Sequence, residues 1–330
     1  MRILVTGGAG YIGSITARSL LDAGHEVIVL DSLEKGWREA VDRRARVEAG
    51  DVGDRKLLDW LLPGCDAVMH LAGFIEVAES QEDPGRYFDN NVARPLTMLR
   101  AMVDHGIGAL VFSSTAAVYG VPETVPIVED APTVPVNAYG ASKLMFEQMI
   151  EHFGAAHGLR SIRLRYFNVA GAWPDGALGE AHDPETHIVP RVLRAMADGQ
   201  ATFEVFGGDY PTADGTCVRD YLHVCDLADA HRLALERLGK DGEGGVFNLG
   251  NGRGYSNLEV VHACAEVTGR DVEIVIGPRR PGDPPILVAS HERARSVLGW
   301  EPRRGELRTM IEDAWRWHST NPNGYAFCRV

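Results

Sequence analysis

A glycine-rich turn near the start of the chain constrains the fold more than any other feature. The sequence Gly-Gly-Ala-Gly-Tyr-Ile-Gly at 7–13 follows a run of branched apolar residues at 3–5 and precedes a segment, 14–21, that is typical of a helix. A second apolar run, 26–30, comes next and ends at Asp31. Strand, glycine turn, helix and strand in this order indicate a βαβ unit, the context in which such a turn binds a dinucleotide.

Each residue type in this unit has a chemical reason to contact a cofactor. Glycines let the backbone turn tightly and approach a pyrophosphate, and the free N–H groups at the start of the helix stabilise its charge. The carboxylate of Asp31, about twenty residues beyond the turn, can accept hydrogen bonds from an adenosine ribose and would repel a 2′-phosphate. Neither Ser32 nor Leu33 offers an arginine for that phosphate, so the sequence predicts NAD in preference to NADP. The alternative is a turn that only packs a helix on a strand.

Length and charge limit the class of protein. The chain has 330 residues, 45% of them apolar, which predicts two closely packed globular domains. Its net charge of −13 provides no basic surface for nucleic acid or for an anionic membrane, so we expect no partner of either kind. No apolar run is long enough to span a bilayer, and we expect no signal peptide and a cytoplasmic location.

The cysteines and histidines indicate neither disulfides nor a metal site. The cysteines are scattered and odd in number, which is typical of reduced thiols in a cytoplasmic protein. They are Cys65, Cys217, Cys225, Cys264 and Cys328. The twelve histidines show none of the familiar metal-binding spacings, so we expect no bound metal.

Strand and helix signals alternate through the first half of the chain and predict an α/β fold with a doubly wound parallel sheet of the Rossmann type. A third strand is expected at 46–49 and a fourth at 67–71. A long helix is expected at about 84–105. The amides of Asn90 and Asn91 inside that helix either face solvent or satisfy a buried group, and the second alternative is favoured.

Residues at the carboxyl ends of the strands in such a sheet are candidates for cofactor contacts. Asp51 follows the third strand, where its loop would reach the adenine, although a role as a turn residue or helix cap is the alternative. Ala72 and Gly73 follow the fourth strand and are small enough to form a wall against which a cofactor lies. His70 is expected to be a hydrogen-bonded core residue with no catalytic role.

The fifth predicted strand ends in Ser113, Ser114 and Thr115. These hydroxyls either point into the crevice or cap backbone groups, and Thr115 is the best candidate for chemistry. Tyr139 and Lys143 follow on the next predicted helix, four residues apart and therefore on one face. A phenol has a pKa of about 10 and needs a neighbouring cation to act as a base at neutral pH. Lys143 and an oxidised nicotinamide ring would provide that charge.

Further motifs extend over nearly the whole chain. They are Asn-Asn-Val at 90–92, Phe-Ser-Ser-Thr at 112–115, Val-Tyr-Gly at 118–120, Tyr-Gly-Ala-Ser-Lys at 139–143, Arg-Tyr-Phe-Asn at 165–168, Asp-Tyr-Pro at 209–211, Val-Arg-Asp-Tyr at 218–221 and Arg-Arg-Pro-Gly-Asp at 279–283. With the glycine turn, they resemble the UDP-glucose (UDP-galactose) 4-epimerases of the extended short-chain dehydrogenase/reductase superfamily. The later motifs are far more specific than the glycine turn.

The resemblance implies a reaction in which C4 of a sugar is oxidised and then reduced on its other face. Tyr139, as a phenolate, would take the proton of the 4-hydroxyl while C4 gives a hydride to tightly bound NAD⁺, and the 4-keto sugar would turn before the hydride returns. Thr115 would hydrogen-bond the same hydroxyl, and Lys143 would also hold the nicotinamide ribose. The resemblance further implies a homodimer that forms through the helices at 84–105 and 139–157.

The residues after Thr115 separate this activity from related ones. By resemblance, 4,6-dehydratases carry an Asp-Glu pair there and decarboxylating relatives keep a nearby Glu, whereas this chain has Ala116 and Ala117. Reversible oxidation at C4 is what remains. The alternatives are a 4-epimerase of UDP-N-acetylglucosamine, UDP-glucuronate or UDP-xylose, a dehydrogenase with two substrates, and a non-catalytic NAD-sensing protein, a class that typically loses the Tyr and the Lys.

The residues and the resemblance together assign two sets of contacts. The NAD contacts are Gly7, Gly10, Tyr11, Ile12, Gly13, Asp31, Asp51, Val52, Leu71, Ala72, Gly73, Asn90, Ser113, Tyr139, Lys143 and Phe167. The UDP-sugar contacts are Thr115, Asn168, His187, Phe206, Arg219, Tyr221, Arg280 and Asp283. Arg219 and Arg280 are expected to clamp the diphosphate, because a guanidinium binds phosphate bidentately, and a surface ion pair is the alternative for each.

We expect residues 1–168 to form the NAD-binding domain, with about 217–250 returning to it, and 169–330 to form a smaller mixed α/β lobe for the UDP-sugar. Three positions depart from the family pattern. Ile75 stands where many relatives have a Lys near the nicotinamide ribose, and His187 stands where some have an Asn. Leu287 stands where side-chain size influences whether N-acetylated sugars fit.

Overall fold

The computed structural model describes residues 1–240, 242–280 and 283–325, in which the chain forms thirteen strands and ten α-helices. The strands are β1 (Arg2–Thr6), β2 (Glu26–Asp31), β3 (Arg46–Ala49), β4 (Ala67–His70), β5 (Ala109–Thr115), β6 (Arg160–Tyr166), β7 (Asn168–Ala170), β8 (Thr202–Phe206), β9 (Val218–His223), β10 (Gly245–Leu249), β11 (Gly254–Ser256), β12 (Glu273–Gly277) and β13 (Ile286–Leu287). The helices are α1 (Tyr11–Asp22), α2 (Arg55–Leu61), α3 (Val77–Glu82), α4 (Pro84–Phe88), α5 (Arg94–Asp104), α6 (Ala138–His157), α7 (Ile188–Ala197), α8 (Val224–Gly239), α9 (Asn257–Thr268) and α10 (Leu307–Thr320). Cys328, and Pro281 and Gly282 of the predicted diphosphate motif, lie outside the described residues.

Seven strands form one sheet in the order β10-β6-β5-β4-β1-β2-β3, and every neighbouring pair is parallel. Parallel strands joined by helices on both faces are the doubly wound arrangement, so the predicted fold class is confirmed. The strand order changes direction between β1 and β4. In such sheets the crevice for a ligand opens at the carboxyl ends of the strands, at this point of reversal.

Successive residues of the central strand pack on opposite faces of the sheet. Ile3 and Val5 lie in an apolar cluster with Leu235 of α8. Leu4, between them, lies in a second cluster with Phe146 of α6. Both faces of the strand are therefore buried, which is why the sequence shows a continuous apolar run instead of an alternating one.

The helix predicted at about 84–105 is confirmed, since the backbone is helical without a gap from α4 through α5. A π-helical turn at Asp89–Ala93, which the sequence did not predict, joins the two. Asn91 lies in that turn, 3% exposed; it accepts a hydrogen bond from Phe74 N (2.9 Å) and donates one to Phe74 O (3.1 Å). The expectation that an amide here satisfies a buried group is confirmed, and this pairing accompanies the local departure from α-helical geometry.

The chain leaves the seven-stranded sheet after β6 and builds a smaller lobe. In this lobe β9 pairs with β7, β11 and β13, and β8 pairs with β12. Helices α7, α9 and α10 pack around an apolar core of their own, which includes Val192, Val260 and Met310. The segment after β9 forms α8, which packs against α1, and β10 then pairs with β6 at the edge of the large sheet.

The structure also bears on the predictions for His70, for the cysteines and for membrane-spanning helices. His70 is 1% exposed and its Nδ1 lies 2.6 Å from Thr6 Oγ1, which confirms it as a hydrogen-bonded core residue. The four cysteines in the described part of the chain are buried free thiols. Among the described helices, none combines the length and the apolar character that a membrane span requires.

A buried ion pair fastens helix α6 to the sheet. Arg165 of β6 donates from Nε and Nη2 to the two carboxylate oxygens of Glu147 on α6, at 2.9 and 2.5 Å. The two side chains are 7% and 2% exposed, and Ser114 at the end of β5 donates to the same carboxylate. Since α6 also carries Tyr139 and Lys143, this pair fixes the helix whose first turns face the crevice.

Replacing Glu147 by Gln should destabilise the protein by about 3–5 kcal/mol, because Arg165 would remain buried without its ionic partner. Glu151→Gln is the matched control, since Glu151 lies one turn later on α6 and pairs with Arg163, but its side chain is 60% exposed; its loss should stay below about 1 kcal/mol. Urea unfolding followed by circular dichroism measures both losses. Equal losses in the two variants would contradict this role for the buried pair.

Candidate functional site

A cleft of about 940 Å³ separates the carboxyl edge of the sheet from the smaller lobe. Nearly all the predicted binding residues line it. On the side of the sheet these are Gly7, Gly10, Tyr11, Ile12, Gly13, Asp31, Asp51, Val52, Leu71, Ala72, Gly73, Asn90, Thr115, Tyr139 and Phe167. On the other side they are Asn168, His187, Phe206, Arg219, Tyr221, Arg280 and Asp283.

The glycine turn has the geometry that a pyrophosphate requires. Gly7 has a φ of +73°, and a Cβ there would lie 2.5 Å from the backbone nitrogen of Ala72. A Cβ on Gly13 would lie 2.0 Å from the carbonyl oxygen of Gly7. Gly10 begins α1 without a side-chain cap, and the first turn of the helix carries no acidic residue. The N–H groups there are free to bind an anion, so the turn fits a dinucleotide.

Asp31 and its neighbours fit an adenosine ribose beside this turn. Its two carboxylate oxygens accept hydrogen bonds from the backbone N–H groups of Ala9 and Leu33, both at 2.9 Å. Burial raises the pKa of this carboxyl above its usual value, although the two N–H groups oppose the change. The carboxylate is thus held at the edge of the cleft by the glycine turn itself.

Asp51 lies in the turn after β3 and does not cap the next helix. Its Oδ1 accepts a hydrogen bond from Gly53 N at 2.6 Å, and its other oxygen forms an ion pair with Arg94 at 2.5 Å. The cap of α2 is Asp54, which accepts a hydrogen bond from Lys56 N at 2.9 Å. Asp51 therefore stabilises the turn after β3 and also lines the cleft.

Tyr139 and Thr115 meet where α6 begins and β5 ends. Asn137 caps α6 by accepting a hydrogen bond from Gly140 N at 2.7 Å, which places Tyr139 in the first turn. Tyr139 is 9% exposed. Burial raises the pKa of its phenol above the usual value, and a hydrogen bond with the side chain of Thr115 lowers it by less. The protein without cofactor therefore holds Tyr139 as a neutral phenol at pH 7.

Lys143 and Ser113 are predicted contacts that lie behind the lining of the cleft. Lys143 Nζ donates to Ser113 O at 3.1 Å, and a Cβ on Gly73 would lie 3.2 Å from this nitrogen. Burial lowers the pKa of Lys143 to about 8, although Glu147 opposes the change. Ser113 is 1% exposed, and its hydroxyl lies 2.9 Å from His231 Nε2 in the core.

The opposite wall carries the two arginines that the sequence singled out. Arg219 lines the cleft, forms an ion pair with Asp283 and donates to Val218 O at 2.8 Å. Arg280 lies over the ring of Phe206, 4.4 Å from its centroid. Arg219 therefore forms an ion pair and also lines the cleft, and Asp283 orients its guanidinium.

A third arginine, Arg191, joins this wall and was not identified from the sequence. It lies in the first turn of α7, 5.9 Å from the centroid of the Phe206 ring. Burial and then the charge of Arg280 lower the pKa of Arg191. Two guanidiniums that face one aromatic ring favour an anion between them. The sequence offered no signal for this residue, because a single Arg in an amphipathic helix is typical of a solvent-exposed face.

Tyr166 is a second residue without a predicted role. It ends β6 and lines the cleft, and burial raises the pKa of its phenol to about 12. Its place inside the Arg-Tyr-Phe-Asn motif was a signal that could have identified it. Ile75 and Leu287, which depart from the family pattern, also line the cleft. Ile75 packs against the apolar cluster that contains Tyr139.

His187 belongs to a group of ionisable side chains at the lobe end of the cleft. Its Nδ1 lies 2.6 Å from Glu180 Oε1, and His182 Nδ1 lies 3.1 Å from the same oxygen. Burial would lower the pKa of each imidazole. The carboxylates of Glu180 and Glu185 outweigh burial and raise the pKa to about 10 for His187 and about 9 for His182.

Comparison with known proteins agrees with this geometry. The model of the NAD dependent epimerase/dehydratase family matches residues 3–250. The UDP-glucose 4-epimerase of Lacticaseibacillus casei is 50% identical over 327 residues, which are 98% of this chain and 99% of the relative. These matches confirm the resemblance inferred from the motifs.

Solved structures give the same result. The UDP-glucose 4-epimerase from Brucella ovis in complex with NAD is 43% identical, with a TM-score of 0.92 over 96% of this chain and 98% of that one. The enzyme from Bifidobacterium longum in complex with NAD⁺ and UDP is 37% identical, with a TM-score of 0.94 over 98% of this chain and 100% of that one. With the glycine turn and Asp31 in place, NAD is the cofactor of this fold. The chain therefore belongs to the NAD dependent epimerase/dehydratase family.

Proposed function

We propose that the protein interconverts UDP-glucose and UDP-galactose by reversible oxidation at C4 of the hexose. The observation that carries this proposal is the shared cleft: Tyr139 and Thr115 face it from the sheet, and Arg191, Arg219 and Arg280 face it from the smaller lobe. The first group suits proton transfer at a sugar hydroxyl, and the second suits a diphosphate. A sugar nucleotide needs both in one cavity.

Proton transfer at the 4-hydroxyl is the task of Tyr139. Bound NAD⁺ supplies a hydride acceptor and a positive charge on its ring. Tyr139 takes the proton of the 4-hydroxyl as the hydride leaves C4, and Thr115 hydrogen-bonds that oxygen and the phenol. After the 4-keto sugar turns, Tyr139 returns the proton while C4 regains the hydride on its other face. The buried Lys143 keeps a positive charge near the phenolate while it exists.

The residues beside Thr115 exclude competing chemistry at the sugar. Ala116 and Ala117 follow it, and Ala117 lines the cleft. Neither side chain can donate or accept a proton, so neither can assist loss of water across C5 and C6. The 4-keto sugar is therefore expected to be reduced again at C4.

The arginines of the smaller lobe are assigned to different phosphates of the UDP group. Arg219, oriented by Asp283, is assigned to one phosphate. Arg280 and Arg191 both lie near the Phe206 ring and are assigned to the other phosphate. Phe206 is assigned to the uracil. Asn168, at the start of β7, and Tyr221 complete the contacts near the sugar.

Replacing Tyr139 by Phe should lower kcat by about 10²–10⁴-fold, because the proton of the 4-hydroxyl loses its acceptor. Bound NAD, released by denaturation and measured by chromatography, should stay at the level of the unmodified protein. Tyr255→Phe is the control, since the buried Tyr255 hydroxyl makes no hydrogen bond within the described residues. A Tyr139→Phe variant that retains turnover would rule out this residue as the base.

Replacing Arg191 by Gln should raise the KM for UDP-galactose about tenfold with little change in kcat, because a charged contact to the diphosphate is lost from ground state and transition state alike. Arg308→Gln on α10 is the control, since that side chain is 64% exposed and pairs with Glu312. Steady-state kinetics with UDP-galactose measures both. An unchanged KM would remove Arg191 from the binding site.

We also propose the assignments that follow from this function. Residues 1–168, with about 217–250, hold NAD, and 169–330 supply the UDP-sugar contacts. Leu287 lies on the wall of the cleft and leaves a 4-epimerase of another UDP-sugar as the nearest alternative. The free, buried cysteines support a reducing compartment, so the protein is assigned to the cytoplasm.

A homodimer through the helices at 84–105 and 139–157 is proposed from the resemblance and from one exposed apolar side chain on α6. Met145 of α6 is 45% exposed. Light scattering should give about twice the 36.0 kDa of one chain, and Met145→Glu should shift the protein toward the monomer. Val275→Glu, at a position of the smaller lobe that is 44% exposed, should leave the mass unchanged. A monomer at micromolar concentration would contradict the proposal.

A further inference from the structure

Four potential metal ligands converge where the chain crosses from the sheet to α7. They come from one short segment with the spacing Glu-x-His-x-x-Glu-x-His at 180–187. One ligand atom from each side chain lies within 4.8 Å of all the others. The spacing differs from the familiar metal motifs, which explains why the sequence predicted no metal.

Four of the six distances between these atoms lie near those of a tetrahedral site, and all six are within 4.8 Å. His187 Nδ1 lies 2.6 Å from Glu180 Oε1 and 3.6 Å from Glu185 Oε1. His182 Nδ1 lies 3.1 Å and 3.8 Å from the same two oxygens. Ligands bound to zinc at about 2.0–2.1 Å in a tetrahedron are ~3.3 Å apart. The four contacts scatter around that value, so a cation at their centre requires only small shifts.

The charges and the unpaired atoms of the cluster also favour a cation. The side chains of Glu180 and Glu185 are 4% and 5% exposed. The nearest guanidinium, that of Arg194, reaches Glu185 Oε2 only at 4.0 Å. Glu185 Oε2 and His182 Nδ1 are both buried and make no well-oriented hydrogen bond within the described residues. Two carboxylates in such surroundings require about two positive charges.

We propose that Glu180, His182, Glu185 and His187 bind one divalent transition-metal ion, for which zinc is the best fit. Two imidazole nitrogens with two carboxylate oxygens suit zinc and neighbouring first-row ions, whereas magnesium prefers six oxygen ligands. Four protein ligands close the coordination sphere, which is typical of a structural site. The ion therefore has no part in the chemistry at C4.

Such an ion would hold in place the segment 180–187, which leads from the large sheet to α7 between the two walls of the cleft. The ring of Tyr11 in the glycine turn meets His182 edge-on, with centroids 6.3 Å apart, and its hydroxyl donates to Gly171 O at 2.7 Å. Trp317 of α10 donates to Glu180 O at 3.1 Å. His187 directly precedes α7, which carries Arg191 one turn later. The site thus joins the cofactor turn, α10 and an arginine of the cleft.

Protonated imidazoles are the alternative source of positive charge, and a direct measurement of metal separates the two. Untagged full-length protein is treated with a chelator, mixed with one equivalent of Zn²⁺ and desalted to remove unbound metal. The zinc that remains bound is measured by inductively coupled plasma mass spectrometry. His182→Gln and Glu185→Gln each remove one ligand. His262→Gln is the control, because His262 is exposed on α9 and is not one of the four converging residues. Circular dichroism verifies that each variant is folded.

The proposal predicts about one zinc ion per chain in the unmodified protein and the His262→Gln control, and much less in the two ligand variants. Zn²⁺, and not Mg²⁺, should raise the melting temperature of the unmodified protein, and Co²⁺ in its place should give the visible absorption of a tetrahedral site. Retention of no zinc by the unmodified protein, or equal retention by folded ligand variants, would overturn the proposal and leave protonated imidazoles as the source of charge.

Discussion

The close approach of α1 to the turn after β1 is the constraint on which the cofactor half depends. A Cβ on Gly13 would lie 2.0 Å from Gly7 O, and a Cβ on Gly7 would lie 2.5 Å from Ala72 N. Glycine alone allows β1, α1 and the end of β4 to meet at this distance. The meeting leaves the first N–H groups of α1 free, and it positions the backbone of Ala9 that binds Asp31.

The reactive pair illustrates why the fold and the cofactor must act together. Burial raises the pKa of the Tyr139 phenol and lowers that of Lys143 to about 8. Both changes favour the uncharged form of the group, which is the opposite of what a phenolate base requires. Lys143 still carries its proton in most molecules at pH 7, because its pKa lies above that value. For Tyr139 as the proposed base, we therefore expect the positive ring of the oxidised cofactor to provide the stabilisation of the phenolate that burial removes.

Much of this architecture could be predicted from the sequence. The central strands β1, β2, β4 and β5 are buried on both faces, so each contains a continuous apolar run. Asp31 and Thr115 are the last residues of β2 and β5. The π-helical turn inside the helix at 84–104 could not be predicted, because it accompanies hydrogen bonds between Asn91 and Phe74, seventeen residues away. Local propensity contains no information about that contact.

Two features of the smaller lobe could not be predicted from the sequence. The role of Arg191 depends on neighbours that lie on other elements. The convergence of the four side chains at 180–187, of which the sequence had assigned only His187, depends on how that loop folds. Arg191 can be interpreted only because Phe206 of β8 and Arg280 come close to it in the folded lobe. Periodicity and motif spacing describe local structure, whereas these groups are defined by the packing of the lobe.

The most direct test of the account is a redox-neutral conversion by the protein as purified. UDP-galactose is added without NAD, UDP-glucose is measured by chromatography, and the absorbance of NADH is recorded throughout. We expect UDP-glucose to form with no net accumulation of NADH, because each hydride that leaves C4 returns to it. NADH that accumulates in proportion to consumed sugar, or the absence of UDP-glucose even after NAD is added, would contradict it.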